Sequence, residues 1–216
     1  MKYFAIICIA SYAGLAGAGG LKSLEVFVKT VNTGRADFTQ VVTAPAKAGQ
    51  APRAKTSNGT FEFSRPNRFK FVYKKPFEQT IVADGQTLWM YDVDLNQVTA
   101  RQQSQVLGST PAALIAAAPD LRALQADFTL LDAPDQGGLQ WVTATPKSKD
   151  GQLQTVRVGF RDAGGAAPGS MLEVLEILDS FGQRSVLTFK QFQVNPALPG
   201  SSFQFKTPAG ADVIRQ

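Results

Sequence analysis

An alternation of apolar and polar side chains over residues 61–74 constrains the fold more than any other feature of this sequence. Aromatic residues occupy odd positions, and mostly charged or polar residues occupy the even ones. The aromatic set consists of Phe61, Phe63, Phe69, Phe71 and Tyr73. A period of two places alternate side chains on opposite faces of a strand, so one face of a sheet is apolar here. Pro66 interrupts the run, which predicts separate or bent strands at 60–64 and 68–74.

The rest of the chain predicts more strands than helices. The pair Asp84-Gly85 stands between two apolar runs, and a type I′ hairpin turn favours such a pair because both positions need positive φ. Further strand-like runs follow residue 138, the last of them at 202–207, with Gly- and Pro-rich turns between them. Sequential strands at this spacing favour an antiparallel sheet. Two stretches, 44–58 and 163–169, predict surface loops, the first of them a long exposed hairpin loop.

Two segments have helical character. The first, residues 21–31, has an apolar side made of Leu24, Phe27, Val28 and Val31. Ser23 is its expected N-cap. The second is an Ala-rich helix at 111–118, with Thr110 as N-cap and Pro111 at its first position. This helix is a thin cover for a Phe-rich sheet. Two interpretations therefore remain: a cavity beneath the helix, or an ordinary, permanently buried core.

The first 18 residues have the composition of a secretory signal peptide. Lys2 precedes an apolar run at 4–10, and the small residues at 16–18 form an expected cleavage site. The apolar run is shorter than the ~20 residues that a membrane span needs. We therefore expect residues 1–18 to be removed and residues 19–216 to form a single domain. A buried N-terminal helix is the alternative.

The chemistry that the chain lacks excludes several classes of function. It contains no histidine, and its single cysteine, Cys8, lies in the segment expected to be removed. Histidine-based catalysis, Cys–His dyads and thiolate metal sites are therefore excluded from the mature protein. No glycine-rich nucleotide-binding motif is present. We expect no catalytic residue, no cofactor and no metal ion, although a hydrolase using two carboxylates stays open as an alternative.

The charge balance is modestly basic. Lys and Arg number 22 against 17 Asp and Glu, a formal net charge of +5, and no basic run is longer than Lys74-Lys75. Nucleic-acid-binding proteins cluster their positive charge more strongly, so we expect no nucleic-acid partner. The excess is compatible with contact with anionic lipid surfaces.

Arg65 continues the apolar face of Phe61 and Phe63, immediately before Pro66. An arginine in that position either extends into solvent at a strand end or donates hydrogen bonds at the rim of a cavity. The residues alone leave both placements open.

Six segments, in order along the chain, together resemble one known family. They are ADFTQ (36–40), RPNRFKF (65–71), DGQTLWMYD (84–92), TPAALIA (110–116), FGQRSVLTF (181–189) and FQFKTPAGADVI (203–214). The resemblance is to the periplasmic outer-membrane lipoprotein carriers, LolA. It covers essentially the whole mature chain, apart from the loops 44–58 and 163–169. It implies a mainly β fold, an unclosed, strongly curved antiparallel half-barrel whose concave apolar face is covered by short helices acting as a lid.

The resemblance also implies a function without catalysis. Such a carrier is a periplasmic monomer that binds the acyl chains of lipoproteins, receives them from an inner-membrane ABC transporter complex and delivers them to an outer-membrane receptor lipoprotein. The cavity and lid residues that we expect are Arg65, Phe69, Phe71, Trp89, Leu114 and Ile115. By motif match, Arg65 is similar to the family arginine that hydrogen-bonds the lid. An outer-membrane receptor of the same fold and a general periplasmic lipid-binding protein are the alternatives.

Overall fold

The computed structural model describes residues 19–46, 49–106, 115–116, 118–149, 151–162 and 170–216. The expected signal peptide at 1–18, the loop at 163–169 and most of the helix at 111–118 lie outside these ranges. Among the residues that are described, no helix has the length and apolar composition that crossing a membrane requires.

Short helices and twelve strands make up the described chain. The first half contains α1 (Gly20–Thr30), β1 (Thr33–Thr43), β2 (Ala54–Ser64), β3 (Arg68–Lys75), β4 (Gln79–Ala83), β5 (Thr87–Asp92), β6 (Gln97–Gln102) and α2 (Gln103–Val106). The second half contains α3 (Leu121–Asp127), β7 (Phe128–Gln136), β8 (Leu139–Pro146), β9 (Leu153–Asp162), β10 (Ser170–Asp179), β11 (Arg184–Val194), a 3₁₀ turn (Gly200–Phe203) and β12 (Asp212–Arg215).

All twelve strands belong to one sheet, in the order β12-β6-β5-β4-β3-β2-β1-β11-β10-β9-β8-β7. The sheet is unclosed, because β12 and β7 lie at its two ends. All of its strand pairs are antiparallel except β12 and β6, which run parallel to each other. The parallel pair differs from the sequence-based prediction, which placed the final strand at 202–207. The chain there forms the 3₁₀ turn and an irregular segment, and it pairs with β6 only from Asp212 onward.

The sheet is strongly curved, and aromatic contacts across its concave face show how strongly. The ring of Phe27 on α1 lies 6.1 Å from that of Phe63 on β2 and 5.5 Å from that of Phe160 on β9. In a flat sheet those two strands would be about 19 Å apart, at about 4.8 Å per strand. The curvature brings the inward-facing residues of distant strands into one core, and α1 packs on it.

Helix α1 begins at Gly20, three residues before the predicted cap Ser23. Gly20 lies so close to β8 that an added Cβ would be 2.1 Å from the carbonyl carbon and oxygen of Trp141. The hydrogen-bond acceptor at the helix N-terminus comes instead from β7, since the Leu21 N–H donates to Asp132 Oδ1 at 2.7 Å. Ser23 is buried inside the helix and donates from its hydroxyl to the side-chain oxygen of Gln140.

Two predicted hairpins are present, each with a different turn from the one expected. The β1–β2 pairing continues to Thr43 opposite Ala54, so part of the predicted loop at 44–58 belongs to β2. In the second hairpin Ala83 pairs with Leu88 and the Asp84 N–H donates to the Thr87 carbonyl at 3.2 Å, so the two central turn residues are Gly85 and Gln86, one position later than expected. The Asp84 carboxylate accepts backbone N–H groups of the residues at 86 and 87, and this local hydrogen bonding stabilises the shifted turn.

Candidate functional site

An apolar cavity of about 240 Å³ opens on the concave face of the sheet. Its lining consists of Gln40 from β1, Phe69, Phe71 and Tyr73 from β3, Ile81 from β4, Leu88 and Met90 from β5, Leu175 and Ile177 from β10, and Leu187 from β11. Met90 and Ile177 face the same cavity although β5 and β10 are six strand spacings apart, about 29 Å in a flat sheet. The curvature of the sheet therefore creates the cavity.

Strand register explains which side chains line one wall. Directly paired residues of antiparallel strands share a face. Phe71 pairs with Ile81, and Ile81 pairs with Met90. The odd positions of β3 and β4 thus continue onto the even positions of β5, and the aromatic alternation of the sequence becomes a continuous apolar wall.

The cavity offers an uncharged surface. None of the lining residues that the structure describes is acidic or basic. Burial raises the pKa of Tyr73 to about 12, so its phenol is neutral at physiological pH. The amide of Gln40 is occupied, because its Nε2 donates to Ser185 Oγ at 2.6 Å. Such a surface binds aliphatic chains and disfavours charged ligands.

Arg65 lies beyond the end of β2 and connects three parts of the chain. Its Nε donates to the carbonyl of Val31, at the end of α1, at 2.8 Å. Its Nη1 donates to the carbonyl of Ala118 at 3.1 Å. The guanidinium carbon lies 5.2 Å from the ring centroid of Phe27 and 5.3 Å from that of Phe63. Arg65 is therefore hydrogen-bonded within the protein and does not extend into solvent.

The charge of Arg65 persists in this environment. Burial lowers its pKa to about 10, still well above neutral pH. The remaining nitrogen, Nη2, is buried and makes no hydrogen bond to the described residues. The guanidinium thus holds the end of α1 and Ala118 against the sheet, and the two N–H groups of Nη2 have no acceptor among the described residues.

Gln103 makes a second connection near the same turn, and the sequence contained no signal for it. The Asn67 N–H donates to the carbonyl of Ala116 at 3.1 Å. Gln103 Nε2 donates to the carbonyl of Asn67 at 2.6 Å, and its Oε1 accepts the N–H of Gly85 at 3.0 Å. Although polar, Gln103 is only 2% exposed. It joins the β2–β3 turn, which contacts residue 116, to the β4–β5 turn.

Comparison with known proteins now identifies the family. The family model described as "Outer membrane lipoprotein carrier protein LolA" matches residues 29–206. This chain belongs to the LolA family. A relative from Albidiferax ferrireducens, named outer-membrane lipoprotein carrier protein, is 87% identical over 216 residues, the full length of both chains. A relative of the same name from Leptothrix cholodnii is 50% identical over 98% of this chain and 92% of its own.

A solved structure supports the fold assignment independently. The crystal structure of a LolA superfamily protein from Nitrosomonas europaea superposes with a TM-score of 0.51, covering 88% of this chain and 99% of that one. Its sequence identity of 13% limits the likeness to the fold. The unclosed, curved sheet covered by short helices is thus the LolA fold.

The residues expected from the LolA resemblance do not all meet in the cavity. Phe69 and Phe71 line it. Ile115 is 1% exposed and belongs to the same hydrophobic core, but it is not part of the lining. Leu114 lies outside the described residues. Arg65 lies beyond the cavity, at the turn before Phe69.

Trp89 lies outside the cavity, which corrects our expectation. Its neighbours at 88 and 90 line the cavity, so Trp89 faces the opposite side of the sheet. Its ring stacks on Phe205 with 5.2 Å between centroids, and its indole N–H donates to Asp84 Oδ2 at 2.8 Å. The alternation of faces along the two strands of the Asp84 hairpin could have shown this. Leu88 and Met90 lie on the same face of the sheet as Ile81, and Trp89 lies on the other.

Proposed function

We propose that this LolA-family chain is a periplasmic carrier that binds the acyl chains of lipoproteins and shields them from water between the two membranes. The observation that supports the proposal most directly is the uncharged apolar cavity on the curved sheet. Burying an acyl chain is worth about 0.8 kcal/mol per CH₂, so an acylated protein does not leave a bilayer for water unaided. A carrier has to supply comparable apolar surface.

The cavity of about 240 Å³ is smaller than typical small-molecule sites, which have about 300–1,000 Å³. We infer that the helical cover, meaning α1 and the chain around Ala118 that Arg65 holds against the sheet, moves away when acyl chains enter. Opening would break the two hydrogen bonds from Arg65 to Val31 and Ala118. A hydrogen bond to a charged group is worth about 1.5–3 kcal/mol, a cost that cargo binding can repay and that favours closure on release.

We propose partners on both sides of this transfer. The chain has no nucleotide-binding motif, so the energy that extracts a lipoprotein has to come from another protein. An inner-membrane ABC transporter complex is the proposed donor, and a receptor lipoprotein of the outer membrane is the proposed acceptor. The chain itself catalyses no reaction in this scheme.

Mass spectrometry of the protein purified from its own periplasm tests the proposal. We expect acylated lipoproteins to co-purify, and the intact mass to lack residues 1–18. Free phospholipid in their place would favour a general lipid-binding protein, and a lipid-modified N-terminus would favour the receptor. An empty protein with hydrolytic activity would overturn the carrier function.

A further inference from the structure

Three tight turns at one end of the sheet each carry a large apolar side chain at high exposure. Phe77 lies between β3 and β4, Leu95 between β5 and β6, and Phe181 between β10 and β11. They are 65%, 69% and 68% exposed, more than any other large apolar residue that the structure describes. We call this end of the sheet the Phe77 end; the turn containing Arg65 lies at the opposite end.

The Phe77 end adjoins the cavity. Tyr73 and Ile177 line the cavity, and each lies four residues before an exposed tip, Phe77 and Phe181 respectively. A surface that contacts these tips is therefore brought next to the cavity wall.

Positive charge is concentrated around Phe77. Lys74 and Lys75 immediately precede its turn and are exposed. Lys75 pairs with Asn58 of β2, and the same edge of the β1–β2 hairpin carries exposed Arg53 and Lys55. None of these four cations forms an ion pair with the described residues. Segments 53–58 and 74–78 contain a single acidic residue, at position 78.

Phe181 lies on the other side of the same β1–β2 hairpin. Thr43, at the end of β1, pairs with Arg184 of β11, and Gly182 lies beside Pro45. The acidic residue of the Phe181 turn, Asp179, accepts the backbone N–H groups of residues 181 and 183 at 2.9 and 2.8 Å, so it holds the turn in shape. Phe77 and Phe181 thus flank a basic hairpin on both sides.

We propose that the Phe77 end docks on an anionic phospholipid surface. Phe77 and Phe181 enter the headgroup region, and the cations at 53, 55, 74 and 75 face the acidic headgroups. Aromatic side chains next to lysines are characteristic of proteins that bind at a membrane interface. Single apolar side chains on separate turns can each enter the headgroup region of a fluid bilayer, whereas the core of a protein interface is packed as densely as a protein interior.

The proposal adds a membrane contact to the proposed carrier function, and the contact can be measured without cargo. The test is co-sedimentation of the periplasmic protein with vesicles of phosphatidylethanolamine and phosphatidylglycerol, compared with vesicles of phosphatidylcholine. We expect binding to the anionic vesicles, weakening as salt is raised, and little binding to the neutral ones.

Substitutions assign the contact to particular side chains. Phe77→Ser is expected to weaken binding to anionic vesicles about tenfold, because a buried Phe contributes roughly 1.5 kcal/mol or more. Lys74→Gln and Lys75→Gln should each cost about fivefold, the equivalent of about 1 kcal/mol per cation. Leu95→Ser is the matched control. Leu95 is as exposed as Phe77, but its turn carries Asp92 and Asp94 and no cation, so its binding should equal that of the wild type.

Three results would overturn the docking proposal. One is absence of wild-type binding to anionic vesicles. Another is equal loss from Leu95→Ser and Phe77→Ser. The third is normal vesicle binding by Phe77→Ser with defective transfer to a purified protein acceptor, which would make the Phe77 end a protein-docking surface. Loading of lipoprotein from detergent, without a membrane, should be normal in Phe77→Ser, so a failure of the carrier function itself would be distinguishable.

Discussion

At the scale of single residues, Arg65 is held by a balance of opposing interactions. Burial disfavours its charge, as the lowered pKa records, and Nη2 has no partner among the described residues. Two hydrogen bonds to backbone carbonyls and the faces of Phe27 and Phe63 offset that cost. The side chain is therefore fixed by directional contacts that a small movement of the helical cover would remove.

Replacing Arg65 should change release more than loading. We expect Arg65→Leu to accept lipoprotein, because the apolar wall remains. It should release lipoprotein poorly, because the closed state loses about 1.5–3 kcal/mol per hydrogen bond. Arg65→Lys should be partly active, since a single ammonium cannot reproduce the planar fork. A transfer assay that scores loading and release separately measures both. Normal release from Arg65→Leu would contradict a closing role.

The ionisation of Tyr73 makes the free energy of unfolding depend on pH in the alkaline range. Its pKa is raised from 10.0 to about 12 by burial, so folding favours the neutral phenol. The associated stability is fully present below about pH 10 and is lost as the pH rises toward 12. The free energy of unfolding of the wild type should therefore fall in this window relative to Tyr73→Phe. Arg65, with its pKa lowered to about 10, contributes in the opposite direction, but equally to both proteins. Parallel curves for the two proteins would show that Tyr73 is solvated.

Residue-level prediction succeeded where a local pattern decides the outcome. The alternation over 61–74 identified Phe69 and Phe71 correctly as inward-facing, because a strand has only two faces. Trp89 was expected in the cavity with the other aromatic residues of the sheet, whereas its indole N–H needs a hydrogen-bond partner, which it finds in Asp84. No sequence pattern indicated Gln103, since the two turns that it connects meet only in the folded chain.

At the scale of elements, α1 shows why a helix can be predicted and its start cannot. The apolar spacing of Leu24, Phe27 and Val28 predicts the helix and its buried face correctly. Its N-terminal partner, however, is Asp132, 111 residues away on β7. Capping by a distant strand leaves no local signature, so Ser23 was the best cap that the sequence alone could offer.

The contribution of this distant cap is measurable. Asp132→Ala should lower the free energy of unfolding by about 1 kcal/mol, the usual value of a helix cap, because the Leu21 N–H loses its acceptor. Urea denaturation followed by circular dichroism gives the difference. Asp135→Ala is the control, since Asp135 is also exposed on β7 and should change stability by less than about 0.5 kcal/mol. Equal effects would indicate a general charge effect on β7.

At the scale of the whole molecule, the cavity depends on which strands meet across the concave face. Sequence periodicity predicted the antiparallel sheet and its apolar face, and the family resemblance predicted the curvature. Neither could predict that Met90 and Ile177 face each other across the cavity, because alternation defines the face on which a residue lies and not the distance between two strands. None of the lining residues from β5, β10 and β11 was therefore predicted.

Two substitutions distinguish a residue that lines the cavity from one on the opposite face of the sheet. Met90→Glu puts a charge at the cavity wall and should weaken binding of a fluorescent apolar probe about tenfold or more, because the apolar ligand would bury an unpaired carboxylate. Val72→Glu is the matched control. Val72 is also half-buried, but it lies between Phe71 and Tyr73 on the opposite face. Fluorescence titration, with thermal unfolding to verify folding, should find the probe affinity of Val72→Glu unchanged. A loss in both variants would place the probe elsewhere.

The curvature that creates the cavity also determines how its volume can change. Six strand-to-strand junctions separate β5 from β10, so the width of the cavity is the accumulated result of six small bends. A change of a few degrees at each junction adds up across the sheet to a change in the width of the cavity. Cargo of different bulk can then be accommodated by distributed flexure, and stiffening any single junction should have only a small effect on capacity.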